Sequence, residues 1–408
     1  MIPPETPAGP RDRRLLLTTA FVRAFATGLI GVLLGLYLAR RGFAARDIGI
    51  VIGAGLSGAA VSALIVTFLG DKFGRRRALI LLTLLAGTGG AALMLSAGIA
   101  AASAAAFLGM VNGMGRDRGA QLVLEQAILP GTGAAADRTR AFAWYNVMQD
   151  VGHALGGLAA ALPALLQSTF GVEEVAAFQS VFGLYVALMA LQALLYMALS
   201  PVAEAPVRSS VPGPRIDPES RRIVLRISGL FAIDSIAGGF LGTALIAYFF
   251  FERFGAGEMA IAILFFLARS ANAISHFAAA WLARRIGLVN TMVFTHIPSS
   301  LMLIAVAFVP SFSLAAGLFL LRELLVEMDV PTRQSYVMAV VRPEERTWAS
   351  GITSLVRMGG WAVGPFVAGF LMQGVALATP LMIGAGMKIV YDLMLWKSFR
   401  DLKPPEES

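Results

Sequence analysis

Twelve stretches of mostly apolar residues follow one another along the chain, parted by short polar interruptions. They lie near residues 15–39, 48–69, 78–99, 101–129, 140–166, 174–199, 223–251, 258–282, 287–309, 311–336, 348–374 and 378–396. An α-helix rises about 1.5 Å per residue, so about 20 apolar residues cross the hydrocarbon core of a bilayer. Each stretch has that length and is predicted as a membrane-spanning helix, which makes the chain an all-α membrane protein. The first stretch is too long for the hydrophobic region of a signal peptide and has no clear small-residue cleavage site. It reads as a retained first span. The longest polar interruption, residues 200–222, is rich in Pro, Ser and charge. It reads as a linker between two six-helix halves, 1–199 and 223–408.

The two halves echo each other. Arg13-Arg14-Leu15 opens the first apolar run and Arg221-Arg222-Ile223 opens the seventh, 208 residues later. At the same offset, Asp137-Arg138-Thr139 precedes a run holding Gly152, Ala154 and Gly156, and Glu345-Arg346-Thr347 precedes one holding Gly360, Ala362 and Gly364. Two separated markers at one offset predict an internal duplication.

Composition agrees with a lipid environment. The 408 residues are 57% apolar and 14% charged, with a mean hydropathy of +0.74. A soluble domain carries about 25% charged residues. The 43 glycines suit close helix contact in lipid. There is no cysteine, which excludes disulfides, thiol chemistry and Cys-ligated metal.

The net charge of +8 would suit nucleic acid, but its distribution reads as topology. Twenty Lys and Arg fall on one side of the predicted spans, and only Arg40, Arg41, Arg46 and Arg253 on the other. By the positive-inside rule the first side is cytoplasmic, with both termini and the linker there. The expected setting is the plasma (inner) membrane and the expected partner the lipid bilayer; no nucleic-acid partner is expected. Six spans per half, an even number, give both halves one orientation, the parallel-repeat arrangement of some secondary transporters.

The loop after the second span reads Gly70-Asp71-Lys72-Phe73-Gly74-Arg75-Arg76-Arg77. A tight reversal there needs Gly74, and Asp71 can pair with the basic cluster. With twelve spans in six-plus-six, the chain resembles the major facilitator superfamily along its whole length. The family's loop motif matches at Asp71, Lys72, Gly74, Arg75 and Arg76, while Thr67 stands where the family has its first glycine. The corresponding loop of the second half, Ala283-Arg284-Arg285-Ile286-Gly287, has Arg284 in place of the acid. The resemblance implies alternating access, no cofactor, a monomer, and a cytoplasmic latch involving Asp71 and Arg75. It also implies a central cavity lined by spans one, four, seven and ten. In span five, Gly152-His153-Ala154-Leu155-Gly156-Gly157 resembles the Gly-Pro-x-x-Gly-Gly element of the superfamily's antiporters, with His153 in place of proline. Gly364-Pro365-Phe366-Val367-Ala368-Gly369 is a near match in span eleven. Helix packing accounts for these glycines equally well.

Ionisable groups at bilayer depth are costly and point to function. Nine bases (Arg23, Arg116, Arg118, Arg226, Arg269, Arg322, Arg333, Arg357, Lys388) stand against eight acids (Asp117, Glu125, Asp150, Asp234, Glu323, Glu327, Asp329, Asp392). Near-balance favours pairing. Arg23, Asp150, Asp234, Arg322 and Arg357 lie about 12–18 Å from the start of their spans, near the midplane. The candidates for substrate or proton are therefore Arg23, Arg116, Asp117, Arg118, Asp150, Asp234, Arg322, Glu323 and Arg357, with Asp234 the foremost carrier of a proton. The gating candidates are Asp71, Gly74, Arg75, Arg76, and Glu125 with Arg333, which fall opposite each other at the 208 offset and are expected to pair across the cytoplasmic mouth when the cavity opens outward. Lys388 and Asp392, four residues apart, read as a local structural pair.

Other chemistry is absent from the sequence. His153, His276 and His296 lie on three different spans without a second ligand at metal spacing. Gly113-Met114-Gly115 lacks the context of a dinucleotide loop, and no nucleotide-binding phosphate loop occurs. Three functions remain: a proton-coupled exporter of small amphipathic organic compounds, an exchanger or symporter of an anionic metabolite (organic phosphate or carboxylate), and a transport-dead receptor or membrane enzyme. The first is the leading expectation, resting on the span-two loop, the partial span-five element and Asp234. The second, the alternative, rests on Arg23, Arg116, Arg118 and Arg322, and their near-balance by acids counts against it. No catalytic constellation supports an enzyme.

Overall fold

The computed structural model describes residues 8–116, 119–133, 138–204, 217–328, 333 and 346–399. Among them all regular structure is helical. The first half contains α1 (Ala8–Arg40), α2 (Ala45–Phe73), α3 (Arg75–Leu95), α4 (Ile99–Gly109), α5 (Ala120–Ile128), α6 (Arg138–Ala159), α7 (Leu162–Phe170) and α8 (Glu174–Met197). The second contains α9 (Pro218–Phe240), α10 (Thr243–Phe254), α11 (Glu258–Ile286), α12 (Leu288–Phe308), α13 (Phe312–Val326), α14 (Arg346–Gly374) and α15 (Thr379–Phe399).

Nine stretches of described residues are long and apolar enough to cross a membrane. Three predicted spans are broken into two helices, for reasons that hydrophobicity does not register. The fourth opens between α4 and α5, where Met110 and Gly115 take left-handed backbone (φ 55° and 63°). There the Asn112 side chain donates to the Met110 carbonyl at 3.2 Å and accepts from the Met114 amide at 3.1 Å. The fifth breaks at Ala160–Ala161, just ahead of Pro163 in the first turn of α7. Proline lacks the N–H that a helix interior needs and suits a helix start. The seventh breaks at Leu241–Gly242, after the weak helix formers Gly238 and Gly239.

The chain divides into two compact units, Met1–Val211 with Gly257–Ile263 and Pro212–Ala256 with Leu264–Ser408. In the first, α1 lies along α6 and α8, α2 packs on α4 and α5, and α3 packs on α4 and α8. In the second, α9 lies along α14 and α15, and α12 packs on α13 and α15. Its core gathers Val224, Ile227, Phe231, Met292, Tyr391 and Leu395.

The glycine echo is where each bundle draws two helices together. A Cβ on Gly156 of α6 would stand 2.0 Å from the Phe25 carbonyl oxygen of α1. A Cβ on Gly364 of α14 would stand 2.4 Å from the Gly239 Cα of α9. Backbone cannot yield as a side chain can, so both positions admit only glycine at this separation. Gly156 of the span-five element is thus used in close helix packing. In α14 the helix runs on through Pro365.

Candidate functional site

Each unit holds a buried cluster of charge. In the first, Arg23 of α1 meets Glu125 of α5 at 2.6 Å, with side chains 3% and 0% exposed. Three hydroxyls complete the carboxylate. Thr19 Oγ1 donates to Oε1 at 2.6 Å, Tyr196 OH to Oε1 at 2.6 Å and Tyr145 OH to Oε2 at 2.5 Å. Arg23 also donates to the Tyr196 and Tyr145 hydroxyls, at 3.0 Å each, and Gln192 Nε2 donates to Tyr196 OH at 2.8 Å. Four helices, α1, α5, α6 and α8, thus tie to one carboxylate. An ion pair taken out of water holds only when its remaining hydrogen-bonding capacity is filled, and here it is.

In the second unit Asp234 of α9 stands between two bases. Lys388 Nζ of α15 lies 2.7 Å from Oδ1 and Arg333 Nη1 lies 3.4 Å from Oδ2. The chain of contacts continues. Lys388 Nζ is 3.3 Å from His296 Nε2 of α12, and His296 Nδ1 is 2.9 Å from Asp392 Oδ1. All five residues are buried. Arg333 sits over the Phe231 ring, its Cζ 5.4 Å from the centroid. Arg357 lies over Trp361 at 4.7 Å and over Phe231 at 5.9 Å. Such cation–π contacts soften the cost of holding guanidinium groups away from water.

The structure distributes the predicted site residues unevenly. Arg23, Glu125, Asp234 and Arg333 enter the two clusters. Glu125 and Arg333, expected to face each other, are each paired within their own half, with Arg23 and Asp234 respectively. Arg322 and Glu323 of α13 pair with one another. Arg116 lines a small cavity in the first unit together with Arg23, Thr27, Asn112 and Gln121, of about 50 Å³, room for a few water molecules. Asp150 is exposed on α6. Asp117, Arg118 and Asp329 lie outside the described residues, as do the side chains of Asp71 and Lys72.

At the α2–α3 turn, Gly74 takes a φ of 90°, which a side chain would strain. The Glu204 carboxylate accepts the amides of Arg75 at 2.6 Å and Arg76 at 3.3 Å, capping α3. Arg75 Nη1 donates to the Ala127 carbonyl at 3.0 Å, and Arg76 donates to the Met197 carbonyl. The basic loop thus ties the ends of the fourth and sixth spans to the start of the third.

Three contributors escaped the sequence reading and two more were given the wrong partner. Tyr145 and Tyr196 carry no mark of depth in an apolar run, and Glu204 looked like linker. Lys388 and Asp392 were expected to pair locally; each instead reaches a different helix, Lys388 to Asp234 and Asp392 to His296. Their i, i+4 spacing was the available signal, since it puts both on one face, but it cannot tell mutual pairing from shared orientation.

A family model for the Major Facilitator Superfamily matches residues 16–365, and the chain belongs to that family. It is a multi-pass integral membrane protein of the family's transporter fold. An uncharacterized membrane protein of Saccharomyces cerevisiae is 23% identical over 425 residues, covering 94% of this chain and 93% of its own length. Among solved structures, the nucleoside transporter NupG aligns with a TM-score of 0.72 at 16% identity, over 95% of this chain and 99% of that one. A bacterial homologue of the human lysosomal transporter Spinster, inward-facing and occupied, gives 0.74 at 15% identity, over 96% of both chains. A POT family transporter in complex with a thioalcohol-conjugated peptide gives 0.74 at 14%, again over 96% of both. At these identities the likeness is one of fold.

Proposed function

We propose that the protein is a proton-coupled secondary transporter, not an enzyme, that works by alternating access and exports small amphipathic organic compounds. One observation carries the coupling: the buried chain from Arg333 and Asp234 through Lys388 and His296 to Asp392. Titratable groups of both signs at bilayer depth are expensive, and a contiguous set of them supports a proton-handling role. The near-balance of acids and bases supports a cargo without strong anionic character. The Asp71, Gly74, Arg75 and Arg76 loop, braced by Glu204, is assigned the cytoplasmic latch. The distribution of Lys and Arg supports cytoplasmic termini, two six-helix halves joined at 200–222, and residence in the plasma membrane as a monomer.

A second reading, exchange or symport of an organic phosphate or carboxylate, is favoured by Arg23 and Arg116 lining one cavity. The test is reconstitution into vesicles carrying an internal pH indicator, with lipophilic cations, sugars and organic phosphates added in turn. Proton movement driven by lipophilic cations supports the first reading. Exchange of a phosphate ester independent of any proton gradient replaces it with the second, and absence of flux with every solute defeats both.

A further inference from the structure

We infer that Asp392 on α15 is a proton-binding carboxyl, loaded at Oδ2, with His296 and Lys388 as its positioning residues. Within the proton-coupled reading, on which this part rests, Asp392 rather than Asp234 is the carrier of the transported proton.

The assignment follows from which atoms can donate. The Lys388 ammonium has only N–H donors, so the His296 Nε2 facing it at 3.3 Å must accept. The neutral imidazole then carries its proton on Nδ1 and donates it across 2.9 Å to Asp392 Oδ1. The other carboxylate oxygen, Oδ2, is buried without a hydrogen-bond partner, in a residue 0% exposed. A bare carboxylate oxygen in an apolar interior is costly, and a proton on it removes the charge. Asp234 offers the opposite setting, with Lys388 on one oxygen and Arg333 on the other.

The surrounding charges fit this division. Arg333 and Arg357 act on Asp234. On α13, which packs against α12, Arg322 and Glu323 satisfy each other. The Tyr391 ring presents its edge to His296 at 6.3 Å. The charge of an unloaded Asp392 is therefore answered by Lys388 through the imidazole. Loading forms one O–H bond with a proton from water, and unloading returns it to water. With Asp392 neutral, Lys388 keeps its contacts to Asp234 and to His296 Nε2, but the imidazole no longer relays a negative charge to it. Protonation thus weakens the pull of the His296–Asp392 pair on Lys388 relative to that of Asp234 on α9, a local event of the kind that can bias a conformational equilibrium.

Infrared spectra of the purified protein titrated with pH, without any solute, test this. The wild type should show a carbonyl stretch of a protonated carboxylic acid that titrates. That component should vanish in Asp392→Asn, shift in frequency in Asp392→Glu, and remain in Asp234→Asn. A band that persists whole in Asp392→Asn, or disappears in Asp234→Asn, overturns the inference. So does a wild type with no titrating acid, even if it moves protons in vesicles. Should Asp392→Asn fail to fold, an unshifted band in Asp392→Glu overturns it equally. A titrating Asp392 in a protein that moves no proton with any solute upholds the proton site and defeats the transport reading alone.

Discussion

The two buried clusters solve one problem in opposite ways. In the first unit a single acid, Glu125, meets one base and three hydroxyls, and both its oxygens are filled. In the second, two acids, a histidine and two bases form an open chain that ends on a bare oxygen of Asp392. The signs are also exchanged: the base comes from the first span and the acid from the fourth in one half, and the acid from the seventh span and the base, Arg333, from the tenth region in the other. A filled cluster has one low-energy arrangement and acts as a brace. An open one with a shared lysine has more than one way to place its protons and contacts. The first unit thus holds a fixed cluster and the second a cluster whose charges can regroup.

The strongest way to break this contrast is Glu125→Ala. It strands Arg23 and three hydroxyls in the interior and should cost about 3–5 kcal/mol, read as a lowered unfolding midpoint in detergent. A loss below about 1 kcal/mol would mean the first cluster is not a brace. Next comes Lys388→Met, expected to cost about 2–3 kcal/mol, because Arg333 still answers Asp234. Combined with Asp234→Asn in a double-mutant cycle it should show a coupling above about 1 kcal/mol; strict additivity would deny the contact a role. Gly156→Leu and Gly364→Leu probe what the halves share. Each forces α6 from α1 or α14 from α9, and each should lose about 1–3 kcal/mol by the same assay. Unequal losses would show that the packing echo is confined to one bundle. The smallest change is Glu204→Gln, which removes the charge at the start of α3 and leaves one acceptor oxygen for the two amides. It should cost about 0.3–1 kcal/mol and weaken further as an effect when salt is raised.

Much of the helical scaffold was legible because the bilayer imposes a simple rule, the length of an apolar run. The breaks at Met110–Gly115, Ala160–Ala161 and Leu241–Gly242 were not, since a run stays apolar whether or not its backbone stays helical. The site was half legible. Arg23, Glu125, Asp234 and Arg333 stand out as charges in apolar runs, but a charge at depth does not name its partner.

What the amino-acid sequence determined by itself was the class of solvent, the all-helical character of the chain, and the candidacy of Arg23, Glu125, Asp234 and Arg333 as charges in apolar runs. Each of these depends on local composition or on spacing along the chain. Only the tertiary structure decided that Glu125 belongs to Arg23, that Lys388 reaches Asp234 instead of Asp392, and that His296 joins the two acids. Those partners lie on separate helices, and ion pairs form between whichever groups packing brings within about 3 Å, a distance that no spacing along one helix encodes.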